Sequence, residues 1–426
     1  MFERSKYSGL RISKEAATIL AMRVALYEGS WEKYHKGTKF ATEDNHTEFF
    51  QEVMKWGDEQ FFKSKLALNT KDTDKEYVNA EDAFAHLFNK KDLSQIQEAV
   101  LWKKYSVADG VFHRLGALLA SGAVDGQGPS GLSKSLVDNY LNADGTFINP
   151  KDEKYKDFNE MFKERDARLL VTVMHSGPDC KYRASSPTNK PMNVRAYDAT
   201  GTEDEMKEKN EDIVSPNLNG DGNSKSVTGF HIRLGIDTTY VDNESETVVV
   251  LFRYAEGLLC YAEAAEELDL CTDDVLNKTL KPLRERAGVT YVKPTKADPN
   301  FPFTGLSPVL QEIRRERRSE LALQGFRLDD LMRWAVAGTL KGQDGRGRGA
   351  YLGEDGVLYK SFSPKGRESL KLVLKDNDGW TDPLQQYLPQ GYLFDLNRDY
   401  LLPIPPDELQ LNRELKQNPG WGDANE

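Results

Sequence analysis

Few residues in this chain are spaced for covalent chemistry. The six histidines are scattered without ligand spacing, and no GxGxxG, P-loop, HExxH or GxSxG pattern occurs, so no cofactor and no enzyme signature is expected. Paired carboxylates can hydrolyse a glycosidic bond, but with 68 acids chance pairs are certain, and the carboxyl separation that matters is not legible in a sequence. Asn217, Asn219, Asp221 and Gly222 match the opening of a calcium-binding EF-hand loop. Its twelfth position is Thr228 where a bidentate Glu is needed, and Asp144-Gly145 fails the same test because Tyr140 occupies the first ligand position. No metal site is expected.

What remains is the chemistry of binding. A sugar is held by aromatic faces stacked on its apolar side and by polar side chains that meet its hydroxyls. Tyr105, His113 and Arg114 follow a predicted strand, and Tyr182, Tyr197, His231 and Tyr240 lie in a long polar stretch from about Gly177 to Asn243. These seven are the candidate ligand residues. For any one of them the plainer reading is a loop aromatic tucked against the helices.

The elements that must position them are mostly helical. Ala16, Ile19, Leu20, Val24 and Leu26 recur at helical spacing, which predicts a helix over Ser13–Tyr27 with Ser13 as cap and Gly29 as stop. A second helix is expected from about Thr47 to Phe62, completing a hairpin whose alternation of small and large residues suits tetratricopeptide-like pairing. After a charged segment from Asn69 to Lys91, the run QEAVLWKKYSVADGVFHRLGALLASGAVDGQGPSG reads as a short strand and then loops. Helical order returns at LFRYAEGLLCYAEAAEELDL, followed by a helix from Asp273 to Ala287. The prolines at 403, 405 and 406 predict an extended tail.

The most unusual helix spans Leu310 to about Gln324, with a second from about Leu328 after Gly325. Ile313, Leu321 and Ala322 form its apolar stripe, yet Arg317, Glu320 and Gln324 share or border it. Burying such ions costs several kcal/mol each unless partners await them. Spacing offers Glu312 with Arg315, Arg317 with Glu320, and Asp329 and Asp330 with Arg327 and Arg333. Five acids interleaved with six arginines cancel most of the field, so the stretch reads as structural and not as a nucleic-acid footprint.

A net charge of −11 excludes nucleic acid or an anionic membrane face as the main partner. Hydrophobic residues at 38% and charged residues at 29% are ordinary for a folded chain, and 426 residues allow two to three domains or one extended scaffold. The three cysteines have no CxxC spacing and read as buried thiols, although Cys260 and Cys271 could pair if the intervening loop brings them close. The opening residues read as helix, without a signal segment or a lipid-acceptor cysteine.

The run EIRRERRSELALQGFRLDDLMRW resembles the C-terminal signature of the SusD/RagB family of outer-membrane nutrient-binding lipoproteins, in which Glu-Arg-Arg-x-Glu-Leu precedes a Gly-x-Arg turn and Asp-Leu-x-Arg-Trp. Gln324 stands where the family most often has an acid. Further matches occur in the family's order: Leu136, Val137, Asp138, Tyr140, Asp144 and Gly145; Arg165, Asp166, Arg168 and Leu169; the runs from Arg253 and from Arg284; and a tail of Leu-Pro-Ile-Pro, Glu-Leu and Gln-Asn-Pro-Gly-Trp.

The resemblance implies a mainly α fold: a SusD-like α-helical scaffold with tetratricopeptide-like helix pairs, long irregular loops and minor β. It implies one SusD-like domain over 1–426 that lacks the family's usual start. Within it lie a helical hairpin (1–68), a loop-rich ligand side (69–247), a helical scaffold (248–334), and loops with an extended tail (335–426). A late start would leave apolar faces near Ile19 and Leu26 exposed unless other elements cover them. The implied role is non-catalytic capture of an oligosaccharide or peptide at the outer-membrane surface and its delivery to a SusC-like TonB-dependent transporter. Membrane attachment would be only through an N-terminal lipid anchor absent from this chain. Arg317, Glu320, Arg327 and Trp334 would hold the fold without touching ligand. A helical glycoside hydrolase and a peptide-binding tetratricopeptide adaptor are the alternatives.

Overall fold

The computed structural model describes residues 2–41, 43–72, 75–76, 79–115, 131–181, 190–198, 200–218, 226–236, 244–340 and 345–422. Ser13 caps the first long helix, its hydroxyl accepting the Ala16 N–H at 3.3 Å, and α1 (Lys14–Tyr34) runs well past Gly29. The glycine is there for close approach and not to stop the helix: a Cβ on it would lie 2.9 Å from the Phe50 ring of α2 (His46–Trp56). The expected second helix is α2 continued by a π-helical turn, Gly57–Phe61. Ile19, Leu26, Phe50, Val53 and Phe61 form one core with Ala255, Leu258, Leu259 and Ala265. Ile19 and Leu26 are 0% and 2% exposed, so these positions are covered, while Leu20 and Val24 of the same predicted pattern are exposed. Each such side chain contributes roughly 1.5–3 kcal/mol through burial.

The charged segment 69–91, to which the sequence assigned no element, contains α3 (Ala80–Asn89), capped by Asn79, whose side chain accepts the Asp82 N–H at 2.8 Å. Phe84 and Leu87 of α3 are fully buried with Trp102. Strand β1 (Ala99–Lys103) pairs antiparallel with β2 (Val249–Arg253), with Ala99 opposite Arg253 and Lys103 opposite Val249. The pairing sets Glu98 beside Arg253. A further two-residue ladder joins Lys71–Asp72 to Lys75–Glu76. The mainly α reading holds.

The middle of the chain is irregular but has its own core, in which Tyr140, Phe158, Met174, Phe230, Leu352 and Trp380 pack together. It includes the short α4 (Ala167–Thr172), capped by the Asp166 carboxylate. A helix not anticipated in the polar excursion, Glu203–Lys209, carries a full capping box between Thr202 and Glu205. The scaffold resumes with α5 (Tyr254–Glu267). The helix expected over Asp273–Ala287 is two, α6 (Asp273–Lys278) and α7 (Leu280–Arg286), divided at Thr279, whose φ of −121° and ψ of −75° leave helical geometry.

The signature helices are α8 (Pro308–Glu320) and α9 (Phe326–Arg333). Ser307 caps α8 by accepting the Leu310 N–H at 3.0 Å, and Pro308 occupies the first turn, where its missing N–H costs nothing. Helix α8 ends four residues earlier than its pattern suggests. The connecting turn places Leu323 (φ 62°) and Gly325 (φ 88°) in the left-handed region, and the glycine adopts it without strain. All three cysteines are free, so Cys260 and Cys271 do not pair; burial pushes the Cys260 thiol up to about 12, which keeps it inert. The tail is not wholly extended: Pro406–Leu411 forms a short helix with Pro406 in its first turn. Among the described residues no helix is long and apolar enough to cross a membrane.

Candidate functional site

Helix α8 carries its charges inward along two rows. Toward α5, Arg333 forks onto both oxygens of Glu263 at 2.8 and 2.7 Å, and Arg317 Nε donates to both oxygens of Asp330 at 2.8 and 2.9 Å. Arg314 reaches Glu267 at 3.2 Å, and the Trp334 indole donates to Glu263 at 2.6 Å. Toward β2, α4 and α7, Glu320 accepts from Arg168 (2.7 Å), Arg253 (2.8 Å) and Arg286 (2.5 Å). Glu98 accepts from Arg253 and Arg286, while Glu316 accepts from Arg168 and Arg284. Burial opposes ionisation of Glu263, yet Arg333, Arg314 and Arg317 hold its carboxyl down at about 2.

The i,i+3 rule found Glu312 with Arg315 at 2.8 Å and Asp330 with Arg333 at 3.0 Å. It mispaired Arg317 with Glu320, because partners distant in sequence outcompete the helical neighbour once both groups are buried. Gln324 keeps the turn closed without a charge: its oxygen accepts from Arg253 Nε at 2.9 Å and its amide donates to the Glu320 carbonyl at 3.0 Å. Arg327 stands outside the network. Its guanidinium lies 5.3 Å from the Phe303 ring centre and forms no ion pair among the described residues.

Of the seven candidate ligand residues, Tyr105 and His113 meet edge to face at 4.5 Å, with Lys103 Nζ 4.8 Å from the centre of the tyrosine ring. His113 Nδ1 accepts the Leu115 N–H at 3.1 Å, so Nε2 carries the proton donated to the Thr247 carbonyl at 2.7 Å. Arg114 is exposed beside them, among the exposed Val111 and Phe112. Tyr197 is half-buried elsewhere, its backbone N–H donating to the Lys360 carbonyl at 2.7 Å. His231 is buried, its Nε2 accepting the Asn217 N–H at 3.2 Å, and burial pushes its pKa down to about 4. It is a neutral core histidine and does not face solvent. Tyr182 and Tyr240 lie outside the described residues, as do 219–225 of the EF-hand-like stretch.

Two clefts went unread in the sequence. One, of about 730 Å³, lies where α8 and α9 meet and is lined by Asp138, Phe301, Arg318, Arg327 and Tyr392 among others. The second, of about 650 Å³, shares Ser135, Asp138, Pro150 and Arg346 with it and extends to Lys156 and Trp380. Asp138, Arg315, Arg318 and Arg327 of these linings belong to stretches that match family motifs and read as purely structural. The available signal was that Arg314 and Arg318 have no acid three or four residues away. The fold supplies Glu267 to Arg314 and gives Arg318 no acid among the described residues.

A sequence model of the SusD family matches residues 95–421. The chain belongs to the SusD family. A comparison with curated proteins finds no match. Among solved structures, a SusD-like carbohydrate-binding protein from Bacteroides fragilis superposes with a TM-score of 0.60 at 22% identity, over 95% of this chain and 65% of its own. A second SusD-like protein from the same organism gives 0.58 at 19% identity, over 98% and 66%. The chain thus spans just under two thirds of the length of these two relatives. At such identities the likeness is one of fold. The buried ion network lies within the matched region; its arginines, with Asp166, Glu312, Glu316, Glu320 and Asp330, come from the SusD motifs read in the sequence, while Glu98, Glu263, Glu267 and Asp298 lie outside them.

Proposed function

We propose that this SusD-family chain is a non-catalytic carbohydrate-binding protein of the outer-membrane surface that hands oligosaccharides to a SusC-like TonB-dependent transporter. The observation that carries this reading is the family match across 95–421, over a helical scaffold whose inward-facing signature charges are engaged internally except at the cleft between α8 and α9. The solved relative described as a carbohydrate-binding protein supports the ligand class. Tyr105, His113 and Arg114 fit a sugar-binding face: the ring is braced by its neighbours, the histidine tautomer is fixed, and the arginine is free to donate. Tyr182, Tyr197 and Tyr240 remain candidate ligand residues, and tetratricopeptide-like packing of α1 with α2 fits contact with the transporter.

The test is a glycan array followed by calorimetry on wild type, Tyr105→Ala and Arg114→Ala. Binding that weakens in these variants while their melting curves stay put supports the reading. Release of reducing sugar from bound polysaccharide would overturn the non-catalytic assignment, and failure to bind any glycan would overturn the carbohydrate class.

A further inference from the structure

The cleft between α8 and α9 contains two arginines that none of its described residues meets in an ion pair. Most ions in its wall are matched. Arg315 is held by Asp298 at 2.6 Å and Glu312 at 2.8 Å, Arg346 by Asp382 at 2.6 Å, and Asp138 by Lys134 at 2.5 Å. Two cations are left. Among the described residues, Arg318 donates to the Ser135 hydroxyl at 2.9 Å and forms no ion pair, and Arg327 has the Phe303 ring but no ion pair. Asp330, whose charge favours the Arg327 cation, is already gripped by Arg317 at 2.8 Å and Arg333 at 3.0 Å.

Burial and mutual repulsion act on both groups. Burial, then the charges of Arg327 and Arg315, lower the pKa of Arg318 to about 9 against the opposing charge of Asp138, and burial lowers that of Arg327 to about 10 against the charge of Asp330. Both therefore stay cationic at neutral pH, and because both are half-buried, part of their desolvation cost is carried by the free protein. Elsewhere on these two helices every inward-facing arginine has a carboxylate at 3.2 Å or closer. The buried Arg4 and Arg165 also lack a carboxylate but are saturated by backbone carbonyls, whereas among the described residues Arg318 and Arg327 have a single hydroxyl and a ring as their partners, which leaves guanidinium donors in the cleft for an anion from outside.

The rest of the lining suits a sugar. Tyr392 is 39% exposed, Phe301 presents a half-buried ring, and the exposed Asn300 adds an amide. About 730 Å³ falls within the range of ligand pockets. Guanidinium forks match the planar carboxylate and the sulfate group.

We propose that this cleft binds an acidic saccharide, a uronic acid or sulfated sugar whose anionic group sits between Arg318 and Arg327. The proposal rests on the carbohydrate-binding reading above and narrows its ligand class. The full chain is titrated by calorimetry with oligogalacturonide, its methyl ester, a chondroitin sulfate disaccharide, a neutral galacto-oligosaccharide and inorganic sulfate. Wild type is compared with Arg318→Gln, Arg327→Gln and Tyr392→Ala.

An acidic sugar should bind, with esterification and each arginine substitution weakening it by about tenfold or more, the loss of one charge-assisted contact. Tyr392→Ala should weaken the sugar while sparing competition by sulfate. Unliganded Arg318→Gln and Arg327→Gln should melt at or above wild type, since each removes an unmatched charge; a large drop in melting temperature would overturn the claim that these arginines are unpaired. Neutral sugars that bind equally well to wild type and both arginine variants would overturn the acidic assignment and leave the carbohydrate reading standing. Binding of sulfate without any sugar would overturn both.

Discussion

Replacing Glu320 with glutamine should loosen the scaffold while leaving its shape intact. Glu320 is fully buried at the end of α8, where three guanidiniums from α4, β2 and α7 converge on its two oxygens at 2.5–2.8 Å. Burial opposes ionisation, yet Arg286, Arg253 and Arg168 hold the carboxyl well below the usual range. The arginines cannot give up their protons, so an amide at this point removes one negative charge and turns an NH2 group toward a donor. Removing one partner of a buried ionic group costs about 3–5 kcal/mol, a large part of a typical stability of about 5–15 kcal/mol. With an unfolding entropy of about 2.1 cal/mol/K per residue, a chain of 426 residues should lose about 4 °C of melting midpoint. Equilibrium urea unfolding followed by circular dichroism measures the free-energy change directly. The control is Glu52→Gln, which breaks an exposed pair with Lys55 at 2.8 Å and should cost less than about 0.5 kcal/mol. If Glu320→Gln costs no more than this control, the buried network does not fasten the fold and the reasoning fails.

Gly257→Ala should destabilise the helical core by about 1–3 kcal/mol through overpacking, because its Cβ would fall 2.3 Å from the Phe61 ring; retention of wild-type stability in urea would refute the close packing of α5 on the π-helical turn. Stability should also fall with pH in two windows. His231, held neutral with a pKa of about 4, binds a proton more readily in the unfolded chain, so its contribution is complete above about 6.5 and is lost as pH falls toward 4. Glu263, held at about 2, contributes fully above about 4.5 and loses that contribution between there and 2, each group being worth on the order of 3 kcal/mol. His231→Gln should flatten the upper window of a urea-midpoint profile and leave the lower one unchanged; an unaltered profile would remove His231 as its cause.

The scaffold was legible wherever the pattern was local. Ser13 and its helix, the Ala99–Lys103 strand and the α8–Gly325–α9 turn follow from caps, β-branching and a left-handed glycine that neighbouring residues determine. Gly29 misled because the sequence shows a helix breaker but not the Phe50 ring packed against it. Helix α3 was hidden by its charges, since Phe84 and Leu87 signal a buried face only once Trp102 is known to pack with them. Site residues were less legible for the same reason. His231 and Tyr105 read alike as loop aromatics, and only the fold separates a buried ring from one at the surface. Arg318 and Arg317 sit side by side in one arginine-rich run, and only partners far away in sequence distinguish them.

That last pair shows how this fold divides its labour. The acids that neutralise α8 arrive from Glu98, Asp166, Glu263, Glu267 and Asp298, and reach it directly or through Arg168, Arg253 and Arg286. The network therefore closes only when segments from 17 residues away, at Asp298, to about 220, at Glu98, have all docked. Such an arrangement stabilises little until it is complete, and then it fixes one relative placement of helices, strand and loops, since a misplaced segment would leave a buried guanidinium unmatched. Arg314, Arg315 and Arg317 serve that purpose. Arg318 follows directly on Arg317, within the same signature, but faces Ser135 and open space. A residue in a structural motif that lacks the motif's structural partner is better placed to meet a ligand than an aromatic picked from a loop by composition, because its cost in the free protein is already present and binding relieves it.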